Sequence, residues 1–350
     1  MILSLFACFT MQTFNTPVPH NVPWTHTRNE ERFAAAWNYA QEQNGRALIV
    51  LEGEHTIFED YASVHSNETP LPIYSTTKTL ACFLAYTAEQ QALFSLDEKV
   101  SDTITEWQSD PQKQHITVRQ LLQFTSGIEQ KLFRLTVDGF QPPEKQEIQD
   151  KYAYARNLSV EYTPGSSWSY GSSHLTIFAD FFARKTQTPI QDWLEHTIFS
   201  PIGFRYAGWN TDPRGNHMLA YGIWTSAPEL VKLGVLLRDD GMFFGKPVLS
   251  PGIKSYCQQS SEPNPAYGLG MWRNVDMPDH LEFAAPAFSV LGPNPIFHHS
   301  GIEISTFAGA KGQRIYVIPK YDWVVVLQSE NGDKFQDATF LNLLLSSVSP

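Results

Sequence analysis

Concentrated positive charge is the first thing this chain lacks. Its 350 residues carry 25 Lys and Arg against 36 Asp and Glu, a formal net charge of −11, and no segment gathers basic side chains into a cluster. Phosphate binding needs such a concentration, which excludes a nucleic-acid partner. Cysteine is scarce as well. Cys8, Cys82 and Cys257 are too few for a disulfide framework, and no Cys-x-x-Cys or His-x-x-x-His spacing suggests a structural metal. Cys82 is expected to pack in the core. No Gly-x-Ser-x-Gly occurs, which argues against a nucleophile elbow. Internal repeats and low-complexity tracts are missing, so the chain is neither a solenoid nor a linker. The apolar start "MILSLFACFTMQ" is too short to span a bilayer and has no Lys or Arg ahead of it, which leaves it an incomplete signal peptide.

What is present is globular. With 42% hydrophobic and 17% charged residues, the length suffices for two domains or for one with a large insertion. "NEERFAAAWNYAQEQNG" spaces Phe33, Ala36, Trp37 and Tyr39-Ala40 as a helix ending at Gly45. "RALIVLEGEHTIFEDYA" reads as a β-hairpin turning at Gly53-Glu54. From about Ser95 to Ser255 the pattern is mostly helical, broken by loops. Strand character returns in "YGLGMW", "QRIYVIP" and "WVVVLQSE", and "FQDATFLNLLLSSV" reads as a closing helix. The Pro-rich "MPDHLEFAAPAFSVLGPNP" reads as a long loop. Strands at both ends and helices between predict an α/β (α+β) fold with one sheet built from both termini and a mostly helical insertion. On this reading residues 1–25 are a tail or partial signal, 26–94 and 260–350 form the sheet domain, and 95–259 form the insertion.

One short stretch carries chemistry. "YSTTKTLACFLAY" sets Ser75 three residues before Lys78, the chain's one Ser-x-x-Lys, and then runs apolar without another charge until Glu89. Residues three apart share a helix face, so the Ser75 hydroxyl would lie beside the Lys78 amine. Free N–H groups and a positive dipole at a helix start suit a developing oxyanion. A lysine buried beside apolar residues has its pKa lowered, and a neutral amine can accept a serine proton. Taken alone, the pair reads more readily as a capping serine and a snorkelling surface lysine. The helix after Lys78 is apolar nearly all round and is expected to be buried, which favours the reactive pair.

That stretch, followed by "ITVRQLLQFTSGI", resembles the serine β-lactamase and penicillin-binding protein superfamily, in particular its class C β-lactamase-like, esterase and 6-aminohexanoate-dimer hydrolase-like branch. The resemblance covers roughly residues 30–345 and implies a β-lactamase/transpeptidase-like fold. It implies that Ser75 is the nucleophile, Lys78 its base, and Tyr170 of "TPGSSWSYGSS" the family tyrosine. That tyrosine would sit within reach of both, its pKa lowered by a neighbouring cation, as a proton relay. The usual asparagine two residues on is Ser172 here, which puts the lactamase substrate-amide contact in doubt. For the third motif two segments compete. "STFAGAKGQRIYVIP" would set Gly309 at the motif glycine and the Ala310 N–H in the oxyanion hole, with Ser172 lining the substrate site. "HHSG" offers His299 and Gly301 instead. His298 and His299, adjacent on a strand, would face opposite ways and make a poor metal pair.

The expected function is a serine hydrolase working through an acyl-enzyme on an ester, amide or D-peptide-like substrate, with no metal or other cofactor. A β-lactamase or D,D-peptidase proper, or an inactive penicillin-binding or sensing homologue, is the alternative. Tyr74, Trp168, Trp224 and Trp272 could line a pocket or belong to the core. The expected partner is a small molecule or short peptide. "LFAC" resembles a bacterial lipobox, which would attach the protein to a membrane through Cys8 if the true start lies upstream; the other reading is a frayed tail. Export to the periplasm or a membrane-anchored lipoprotein is set against a cytoplasmic location.

Overall fold

The β-branched runs either side of Gly53-Glu54 form the expected hairpin. In the computed structural model, which describes residues 14–19, 21–26, 30–62, 64–130, 148–277 and 301–346, β2 (Gly45–Glu52) and β3 (His55–Tyr61) follow a short β1 (Thr25–His26). Late in the chain come β9 (Trp272–Arg273), β10 (Ser305–Gly309), β11 (Gln313–Ile318) and β12 (Trp323–Ser329). Between them fall short pairings of β4 (Leu71–Pro72), β5 (Gly208–Trp209) and β6 (Ile223–Thr225), and the hairpin β7 (Met242–Phe243) and β8 (Lys246–Pro247). The main sheet runs β1-β3-β2-β12-β11-β10-β9. Antiparallel pairing of β12 with β2, from Trp323 opposite Glu52 to Ser329 opposite Gly45, joins the two ends of the chain.

Alternation along these strands decides what each face receives. On one face Trp323 meets Phe33, just ahead of α1 (Ala34–Glu42), and Tyr316 stacks on Phe340 of the C-terminal helix Asp337–Ser346. Phe307 pairs with Ile315 across the ladder and so leaves the opposite face, where it meets Phe83 of α2 (Leu80–Gln90). Other helices among the described residues are α3 (Val118–Leu122), α4 (Lys151–Arg156), α5 (Ser173–Thr186), α6 (Ile190–Leu194), α7 (Ala227–Arg238), α8 (Ile253–Cys257) and α9, the C-terminal helix, besides a single turn at Ser200–Ile202. α7 lies in the stretch expected to form the helical insertion, yet its Gly234 sits against Val324 and Ile315 on the α2 face of the sheet. Helices thus cover both faces, and the sheet drawn from both termini is present.

Cys82 packs in the core as expected, and there it is bonded to Cys257, 175 residues on, with the Cα atoms 5.4 Å apart. Three cysteines make no framework, but two brought together by the fold make one bridge. It ties α2 to α8. Cys8, His299 and the Pro-rich run from residue 278 lie outside the described residues.

Candidate active site

Ser75 does not open an α-helix directly. Tyr74–Thr79 is a 3-10 turn that leads into α2. In 3-10 geometry residues three apart eclipse one another, which brings the two side chains closer to face to face than an α-turn does. Tyr74, the residue before Ser75, takes a left-handed φ of 46°, which costs a non-glycine residue about 1–3 kcal/mol and has to be held by its surroundings. Lys78 Nζ lies 3.0 Å from Ser75 Oγ and donates to the Ala220 carbonyl at 2.6 Å. The lysine is 2% exposed. Beside it Leu80, Phe83 and Leu84 are wholly covered, each contributing about 1.5–3 kcal/mol, which offsets the cost of sheltering an amine. Burial lowers the Lys78 pKa to about 7.

Tyr170 stands where the resemblance placed it. Its phenol hydrogen-bonds Ser75, and the Lys78 Nζ sits 5.2 Å from the centre of its ring. Burial nevertheless raises its pKa to about 12, outweighing the Ser75 hydrogen bond and the Arg314 charge, both of which lower it. The expected lowering by a neighbouring cation is therefore not the net result: desolvation of the phenolate is the larger effect. Aromatic rings pack round the phenol. Trp272 stacks on it at 6.0 Å, Trp168 lies tilted at 6.0 Å, and Tyr267 and Phe124 meet it edge-on. Of the four aromatics singled out from sequence, Trp168 and Trp272 form this wall, Tyr74 directly precedes Ser75, and Trp224 on β6 packs instead against Phe14. The Tyr170 loop is held from below by His174, whose Nε2 donates to the Ser169 carbonyl at 2.8 Å and whose Nδ1 lies 2.9 Å from Ser126 Oγ. Burial takes the His174 pKa down to about 4, so the ring is neutral at working pH.

The end of β10 closes the third side. A Cβ on Gly309 would stand 2.3 Å from the Ile73 carbonyl oxygen and 2.8 Å from Thr76 Oγ1, so this glycine abuts the turn that carries Ser75. Ala310 follows as the first residue of a 3-10 turn, where its N–H has no partner inside the turn. Gly301 is exposed, in coil four residues ahead of β10, with open space where a side chain would be. Ser172 is buried as the residue before α5, two positions past Tyr170. Gly127, ending the "TSG" segment, has a φ of +76° and the Tyr162 carbonyl 2.0 Å from its Cβ position, so only glycine fits the turn.

The family model for Beta-lactamase matches residues 27–346. The chain belongs to the β-lactamase family. No curated protein matches the sequence significantly. Among solved structures, one from Bacillus anthracis classed as a 6-aminohexanoate-dimer hydrolase superposes with a TM-score of 0.73 at 15% identity, covering 95% of this chain and 88% of that one. The octameric penicillin-binding protein homologue from Pyrococcus abyssi gives 0.66 at 16%, covering 90% and 77%. A D-stereospecific amidohydrolase from Streptomyces gives 0.62 at 18%, covering 90% and 98%. At these identities the likeness speaks for the fold, which is the β-lactamase/transpeptidase-like arrangement of antiparallel sheet and helices.

Within the β-lactamase family fold, several site-supporting groups carried no sequence signal. The Ala220 carbonyl that holds Lys78 comes from "LAYGIW", where no side chain marks it. His174 was detectable in principle, four residues past Tyr170 on an apolar helix. Gln130 joins it, its Oε1 accepting the Ser173 N–H at 3.2 Å and its amide donating to the Ile128 carbonyl at 2.6 Å.

Proposed function

We propose that this β-lactamase-family chain is a serine hydrolase that forms an acyl-enzyme through Ser75 on an ester, amide or D-peptide-like substrate. One observation carries the reading: the Ser75 hydroxyl lies 3.0 Å from an amine that burial brings to a pKa of about 7. Near neutral pH a large fraction of Lys78 is neutral, and its lone pair takes the Ser75 proton as Oγ attacks the substrate carbonyl carbon. The carbonyl oxygen becomes the oxyanion, received by the Ser75 and Ala310 N–H groups. Collapse breaks the bond to the leaving alkoxide or amine, which is protonated through Tyr170 or the lysinium. Water then attacks the ester carbonyl, returns its proton by the same route, and frees Ser75. Neutral esters and amides are preferred to lactams, because Ser172 replaces the family asparagine and β10 brings no lysine to the site.

The test uses a fluorophosphonate and intact-mass spectrometry, with a panel of p-nitrophenyl esters, D-Ala-D-Ala peptides and nitrocefin for turnover. The expected result is one adduct, located at Ser75 and lost in Ser75→Ala, with turnover of at least one ester or amide. Equal background rates for wild type and Ser75→Ala across the panel, with no adduct, would remove the hydrolase reading.

A further inference from the structure

Behind β10 lies an ion pair whose one part in the chemistry above is the lowering of the Tyr170 pKa by the Arg314 charge, an effect that burial outweighs. Arg314, on β11 and 6% exposed, donates from Nε and Nη2 to the two carboxylate oxygens of Asp337 at 2.6 and 2.8 Å. Asp337 opens α9 and is 1% exposed; it also accepts the Tyr316 hydroxyl at 2.6 Å. The remaining guanidinium nitrogen, Nη1, donates to the Gly309 carbonyl at 2.5 Å and to the Gln313 carbonyl at 2.9 Å. A buried charge pair of this kind is costly and adds little net stability when an apolar pair could replace it. Its geometry suggests another use. In a trans peptide the C=O and the following N–H point to opposite sides of the chain. Whatever fixes the Gly309 carbonyl therefore fixes the direction of the Ala310 N–H. The glycine that Arg314 grips is also the one abutting the Ser75 turn.

We infer that the buried Arg314–Asp337 pair is a positioning device: it holds the Gly309 carbonyl at the back of β10, so that the Ala310 N–H is aimed at the oxyanion before substrate arrives. The inference rests on the hydrolase reading for its catalytic consequence, but not for its structural one. Asp337 orients the planar guanidinium by a two-point grip, leaving Nη1 no freedom to swing off the carbonyl. Lysine would keep the charge and lose this fork. Preorganised donors of this type are worth about 10²–10³ in kcat when removed. A donor left misaimed is expected to cost about 10-fold to about 10²-fold, falling on kcat rather than KM, because the oxyanion exists only after attack.

Arg314→Met and Asp337→Asn are measured against wild type for kcat and KM on the best ester, with folding followed by circular dichroism, and the crystal structure of each variant is solved. The expected outcome is a fall in kcat at near-constant KM, partial recovery in Arg314→Lys, and a turned Gly309-Ala310 peptide. If Arg314→Met does not fold, Asp337→Asn, which keeps a hydrogen-bonding partner in place, carries the same comparison. An unmoved Gly309-Ala310 peptide, or a wild-type kcat in a folded variant, overturns the inference. If the wild type shows no turnover dependent on Ser75 yet the peptide turns in the variant, the hydrolase reading falls and the positioning role stands.

Discussion

A lysine in water is protonated well above neutral pH, and what Lys78 loses on folding is that water. Its pKa falls from 10.5 to about 7, while burial drives Tyr170 the other way, to about 12. The two shifts separate a pair of proposed bases that sequence left equivalent. At neutral pH the phenol keeps its proton and the amine is the group free to accept one. The sign follows directly. Below about pH 7 the amine is charged and cannot take the Ser75 proton, so kcat/KM should rise with pH through an acid limb centred near that value. No basic limb should appear until the phenol ionises. Activity of the purified enzyme on a non-ionising ester, followed from about pH 5 to about pH 9, checks this. A flat profile, or one that falls as pH rises, contradicts Lys78 as the base. That Ser75, Lys78 and Tyr170 come together was legible, since each sits in a motif. The direction of the tyrosine shift was not, because it depends on how Trp168, Tyr267 and Trp272, scattered over more than a hundred positions, enclose the ring.

At the scale of elements, the site depends on how closely β10 approaches the Ser75 turn. The two meet at Gly309, where any side chain would push into the Ile73 carbonyl and Thr76 Oγ1, both nearer than 3 Å. Backbone cannot rotate aside as a flexible side chain can. Gly309→Ala should therefore separate β10 from the turn and lower kcat/KM by about 10²-fold, the loss expected when an oxyanion donor is displaced, while circular dichroism stays near that of wild type. A variant with wild-type kinetics would show that this contact does not set the geometry. The strands themselves were mostly readable: "QRIYVIP" and "WVVVLQSE" became β11 and β12, and the hairpin turned where Gly53 allowed. "YGLGMW" yielded little beyond Trp272, because its glycines form a tight turn, with the Gly268 N–H bonded to the Met271 carbonyl and the Gly270 N–H to that of Gly268. α7 was legible as a helix but not as part of the sheet layer. It is buried along its whole length, with Glu229 and Lys232 paired at 2.8 Å inside, and a helix covered on every side does not announce which neighbour covers which face.

Over the whole molecule, the sheet closes the chain on itself, and the Cys82–Cys257 bridge fastens the middle. Counting cysteines could not foresee it, since the pairing depends on α2 and α8 meeting across 175 residues. The bridge lies behind the site: the Cys257 carbonyl accepts the Leu269 N–H at 2.9 Å, and the Gly270 carbonyl next in line accepts the Thr79 hydroxyl at 3.2 Å. Fastening these segments holds the aromatic wall of Tyr267 and Trp272 against the Lys78 helix. A cross-link over so long a loop removes unfolded-state entropy equivalent to about 5 kcal/mol in the chain-entropy model, and native bridges commonly deliver about 2–5 kcal/mol. Thiol titration of protein unfolded without reductant should therefore find neither Cys82 nor Cys257 free, and so at most one thiol per chain. Reduction with dithiothreitol, or the Cys82→Ala/Cys257→Ala variant, should move the urea midpoint down by a loss of that order, and the reduced protein should bind esters more weakly as the wall loosens. Three titratable thiols in the unreduced chain, or an unchanged midpoint after reduction, would show that α2 and α8 are held together by packing alone.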